Sequence, residues 1–98
     1  MYGLKVRIRA YTDENAYPPE VESIMTDYDG QTHIFRNSLP VFTAESAPMI
    51  PGDGVIRCRV LREEKRFAVV DTALPDNVES VMGQSEFRVA YSDLTEDA

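Results

Sequence analysis

His33 and Cys58 are the only histidine and the only cysteine, so they come first as candidates for proton transfer or nucleophilic attack. His33 stands in Thr32-His33-Ile34-Phe35-Arg36, with no second imidazole and no cysteine nearby. Zinc takes four such ligands, and this pair does not supply them. The ordinary expectation for His33 is a partly exposed strand residue. A small-enzyme site around it is the weakest of three functional readings. Cys58 alternates in phase with Ile56 and Val60, which places it on a core face as a small hydrophobe. Arg57 and Arg59 point the other way and do little to make it a thiolate. Asp27-x-Asp29-Gly30 is too short for a calcium loop. Gly52-Asp53-Gly54 lacks the Lys-Ser/Thr of a phosphate loop and reads as a turn. No catalytic residue, metal set or cofactor is expected, and the chain reads as a non-enzyme.

The more informative residues are basic. Lys5, Arg7 and Arg9 alternate with apolar neighbours, and so do Arg57 and Arg59. Arg7, Arg9, Arg57 and Arg59 are therefore the candidate binding residues. On one solvent face they would form a stripe able to dock a phosphate backbone or an acidic partner. The competing expectation is that neighbouring strands bearing Glu20, Glu22, Glu79 and Glu86 neutralise the stripe. Opposite charges across strands stabilise by roughly 0.2–1 kcal/mol a pair, whereas like charges side by side cost a similar amount.

The elements that must position these residues are strands. Leu4, Val6 and Ile8 alternate with Lys5, Arg7 and Arg9, a period of two that argues a half-buried strand. Ile56, Cys58 and Val60 repeat the pattern, and Phe67–Val70 reads as a return strand. Phe87, Val89 and Tyr91 give the last strand. Leu39–Thr43 reads as a short strand, placed at an edge because Pro40 cannot donate to a ladder. Glu20–Tyr28 has apolar residues at helical spacing, but Asp29-Gly30 separates it from Thr32–Arg36 and favours a hairpin. An internal echo supports the hairpin. Pro18-x-x-Val21-Glu22-Ser23-Ile24-Met25, then Gly30-Gln31-Thr32 and Phe35-Arg36, matches Pro75-x-x-Val78-Glu79-Ser80-Val81-Met82, then Gly83-Gln84-Ser85 and Phe87-Arg88.

The expected fold is all-β: a small antiparallel barrel, Greek-key or SH3-like, of six to seven short strands with an internal pseudo-repeat. Residues 1–91 form this single domain, and 92–98 form an acidic, fraying tail. Pro51-Gly52-Asp53-x-Val55 and the strand Arg57–Leu61 resemble the C-terminal β-barrel domain of elongation factor Tu and its small standalone relatives. Tyr28–Arg36 and Arg66-Phe67-Ala68-Val69 look similar too. In place of that family's Gly-Gly-Arg after the first strand stands Asn15-Ala16-Tyr17, and Leu74–Tyr91 does not follow the family. The resemblance implies a Greek-key barrel and carries over no tRNA contact.

Size and charge bound the partner. A chain of 98 residues makes one domain with one core. Seventeen acids against ten Lys and Arg give a net charge of −7, which repels polyanions at long range. One cysteine makes no internal disulfide, which favours a reducing compartment. No signal-like or membrane-spanning apolar run is visible, so the expected location is the cytoplasm. Met1 and the acidic end fit a whole protein. The expected function is a non-enzymatic binding module for a protein partner. It would dock on the Arg57/Arg59 strand or the edge near Pro40. A nucleic-acid-associated barrel of the translation-factor type is the second reading, disfavoured by charge. No membrane partner is expected. A homodimer through edge strands is compatible with the pattern.

Overall fold

A computed structural model describes residues 1–96. Seven strands form one curled antiparallel sheet, a half-barrel with no α-helix among the described residues. They are β1 (Tyr2–Asp13), β2 (Glu20–Thr26), β3 (Thr32–Ser38), β4 (Gly52–Glu63), β5 (Phe67–Asp71), β6 (Glu86–Ala90) and β7 (Leu94–Thr95). Their order is β3-β2-β1-β4-β5-β6, with β7 beside the start of β1. Strands β1 to β3 form a meander, and β4 returns to lie next to β1. That is the Greek-key arrangement.

Alternation builds the core. Leu4, Ile8, Ile56 and Cys58 are fully buried, while Lys5, Arg7, Arg9, Arg57 and Arg59 face outward. Phe35, Phe42 and Phe87 fill the middle, and Val21, Val70, Val78 and Val89 complete it. Each such side chain contributes about 1.5–3 kcal/mol on burial. One polar group sits among them unpartnered. Ser23 points inward between Val21 and Met25, and its hydroxyl has no hydrogen-bond partner among the described residues.

The two meanders are related by a local twofold. Leu4 faces Ile56 across β1 and β4. The same sequence interval carries Phe35 to Phe87, Arg36 to Arg88, Phe42 to Leu94 and Thr43 to Thr95. β3 and β6 each run into a 3-10 turn, Leu39–Val41 and Tyr91–Asp93, entered at nearly identical backbone angles. Phe42 then lies along β4 through the bond from Val55 N–H to its carbonyl, as β7 lies along β1.

The turns before β3 and β6 also match. Asp27 Oδ1 accepts the N–H groups of Asp29 and Gln31, and Ser80 Oγ accepts those of Met82 and Gln84. Gly30 and Gly83 take φ of 84° and 81°, which favours glycine. The Gly-Gln and Phe-Arg parts of the sequence echo are thus structurally equivalent. Its Pro-x-x-Val-Glu-Ser part is not, because Val21–Met25 lies in β2 and Val78–Ser80 lies outside any strand.

Two expectations are corrected. Leu39–Thr43 is not an edge strand. Leu39 and Phe42 are both buried three residues apart, a spacing that a 3-10 turn satisfies and a strand does not. Pro40 suits the first turn of a helix, where its missing N–H is not needed. Nor does the domain end at residue 91 with a frayed tail. Leu94 and Thr95 pair with Leu4 and Gly3, and Leu94 packs on the core. Residues 97 and 98 of the expected tail lie outside the described residues.

Gly54 lets β4 approach this core. A Cβ there would stand 2.9 Å from Cγ1 of buried Ile8 and 3.1 Å from the Phe42 carbonyl oxygen. Gly54→Ala is expected to cost about 1–3 kcal/mol in urea unfolding, through overpacking. Ser23→Ala removes an orphaned hydroxyl and is expected to leave the midpoint unchanged or raise it.

Candidate functional site

The four arginines singled out above are each held by an acid. Pairing sets Arg7 opposite Asp53 and Arg59 opposite Asp71, with charged groups 3.8 and 3.9 Å apart. Arg9 lies 3.6 Å from Glu22, which also receives Arg36 Nε at 3.2 Å. Arg57 reaches Asp76 in the β5–β6 connection. Its Nε donates to Oδ2 at 2.9 Å, and its Nη2 donates to Oδ1 at 2.5 Å. Hydrogen bonding to Asp76, then its charge, raises the Arg57 pKa. Of the four acids expected to neutralise the stripe, only Glu22 does so. Asp53, Asp71 and Asp76 supply the rest. Exposed ion pairs are screened by water and stabilise little, so these pairs decide charge layout more than stability.

The Arg57–Asp76 pair walls a groove of about 530 Å³. Its other lining residues are Pro40, Val41, Phe42, Thr43, Ala44 and Val55. The sheet itself makes the groove. β5 pairs with β4 from Arg59 to Glu63, and Phe42 takes the same side of β4 at Val55. Between them, at Arg57, that side is left open. The structure thus brings the Arg57 strand and the segment around Pro40 to one place. Arg7, Arg9 and Arg59 do not line it.

His33 is more buried than its sequence position suggests. The His33 and Asp27 side chains are 10% and 7% exposed, and Nε2 donates to Asp27 Oδ2 at 2.7 Å. The ring meets Phe87 edge-on, with centroids 4.8 Å apart. Asp27 also organises the β2–β3 turn, so the pair braces a turn. Burial alone would raise the Asp27 pKa, but the His33 bond and the Gln31 and Asp29 amides outweigh it and lower the pKa below the ordinary 3.8. Cys58 is buried on the core face as expected. Burial, and then the Asp71 charge, push its thiol up to about 11, which leaves it unreactive at neutral pH. No group of three or more potential metal ligands occurs among the described residues.

The fold also assembles an aromatic cluster. Tyr28 and Phe67 rings lie 5.0 Å apart, and the Arg88 guanidinium sits 5.5 Å over Phe67. The three come from the β2–β3 turn, β5 and β6, far apart in the chain, so no local spacing announces them. No family model matches the chain, and neither a curated protein nor a solved structure matches it.

A lowered Asp27 pKa means that the carboxylate stabilises the folded state fully above the ordinary aspartate pKa. That contribution is lost as pH falls through the lower, folded value. Asp27→Asn is expected to be less stable at pH 7 by about 1–3 kcal/mol. The gap to the parent protein should close on acidification, measured as urea midpoints from pH 7 down to pH 2.

Proposed function

We propose that this chain is a non-enzymatic binding module whose protein partner docks in the groove between Pro40–Ala44 and Arg57. The observation that carries the reading is the groove's make-up: an apolar lining from Val41, Phe42 and Val55 beside an oriented ion pair, Arg57–Asp76. Apolar walls with a few placed polar groups suit a short protein segment, in which one apolar side chain enters and the guanidinium edge takes a carbonyl or carboxylate. The resemblance to the elongation factor Tu barrel belongs to this reading, as a barrel used for docking rather than for chemistry. His33 supports it from the other side. Its one polar contact points inward to Asp27, with no nucleophile in the pair. A lone buried Cys58 agrees with a reducing, cytoplasmic setting.

The nucleic-acid reading asked for a basic stripe left unpaired. Arg7, Arg9, Arg57 and Arg59 each have an acid within 4 Å, which weighs against that stripe.

Ala44→Trp fills the groove from an exposed position and should leave the circular dichroism and melting curve unchanged. Immobilised protein is expected to retain a discrete partner from extract that the Ala44→Trp variant loses and a Glu14→Gln control keeps. Arg57→Ala should weaken retention about tenfold or more, as loss of a charge-assisted contact does. A partner held equally by all four forms, or none held at all, overturns the groove as the docking site.

A further inference from the structure

The two ends of the molecule differ in a way that the groove does not use. Described residues span 43 × 26 × 21 Å. The length comes from two hairpin arms. β1 continues past its last partner on β4, Ile8 opposite Gly52, and runs to Asp13 paired with β2 alone. β4 continues past Cys58 opposite Tyr2 and runs to Glu63 paired with β5. The arms therefore point in opposite directions.

Their tips are chemically complementary. At the β1–β2 tip, Asp13, Glu14 and Glu20 are exposed, and no cation pairs with them among the described residues. Tyr17 stands at this tip fully exposed. At the other tip, Arg62 pairs with Glu64, while Lys65 and Arg66 are exposed and have no acid within 4 Å among the described residues. Among the described residues Arg66 is the one arginine of the eight without an acid, in a chain where acids outnumber bases. Phe67 follows it directly and carries the Tyr28–Phe67–Arg88 stack, with Tyr28 41% exposed. Glu63 is the acid that dilutes this tip.

We infer that a second copy of this chain is the occupant of the Lys65–Arg66 tip, docked by its acidic Tyr17 arm in a head-to-tail contact. Charge and ring match independently: acids meet cations that have no acid among the described residues, and the exposed Tyr17 meets the part-exposed Tyr28 ring. Such a contact joins unlike surfaces, so it repeats along a line rather than closing a pair. It is held by few charges in water, so it is weak and sensitive to salt.

The test is sedimentation equilibrium of the full chain at submillimolar to millimolar concentration, in about 20 mM and about 500 mM salt, between which the screening length falls several-fold. Average mass should rise with concentration at low salt and return towards the monomer at high salt. The double variant Lys65→Glu/Arg66→Glu and the double variant Glu14→Lys/Glu20→Lys should each weaken association about tenfold or more. Mixing the two doubles should restore it, because the reversed tip of one meets the reversed arm of the other. Tyr17→Ser tests the ring contact without touching charge. All these positions are exposed, and circular dichroism confirms folding. A mass independent of concentration overturns the inference. So does association that ignores both double variants, which would point to the sheet edges instead. Ala44→Trp should leave self-association unchanged, so the groove and this contact can fail separately.

Discussion

Everything in this molecule hangs on the contact of β1 with β4. Leu4 and Ile56 face each other there with no exposed surface, and the two meanders spread outward from that line. The pairing requires alternation on both strands, so that each sends one row inward and one outward. It also requires Gly54, since a side chain at that position would meet Ile8 and the Phe42 carbonyl. Moving β1 by one residue in this register would turn Arg7 and Arg9 inward and Leu4 and Ile8 to solvent.

From that line the free edges are managed by turns rather than by more strands. Tyr28 donates its N–H to the Arg88 carbonyl, and Val81 donates to that of Ile34. Each bond runs from the turn of one meander to the outermost strand of the other. Phe35 and Phe87 meet beneath, with centroids 5.7 Å apart. An exposed strand edge is a template for unwanted pairing, and these contacts blunt both. The same economy leaves the groove at Arg57, where β5 and Phe42 share one side of β4 without filling it.

Strong local periodicity is legible in the sequence. β1, β4 and β6 show it, and Asp29-Gly30 marks the hairpin between β2 and β3. The features that escaped depend on residues distant in sequence. Arg57 finds Asp76 and Arg88 finds Asp29, while Glu20, Glu79 and Glu86 go unused by the stripe. His33 looks like an ordinary strand residue until Phe87 closes over it from the other half. β7 is two residues long, too short for any period to show. The Leu39–Val41 turn was hidden because Pro40 is compatible with an edge strand and with the start of a 3-10 turn alike.

The local twofold has a consequence for how such a chain can originate and diverge. A single three-stranded meander carrying one β1-like strand presents a self-complementary surface, so two identical copies could pair isologously through it. Joining them by the segment between Val41 and Gly52 makes the partnership covalent and frees the halves from identity. The two halves differ at matched positions. One turn is capped by a carboxylate and the other by a hydroxyl, Asp27 against Ser80. One half carries the longer excursion that delivers Asp76 to Arg57. Symmetry supplies the scaffold here, and its violations supply the places where the two ends and two faces acquire separate roles.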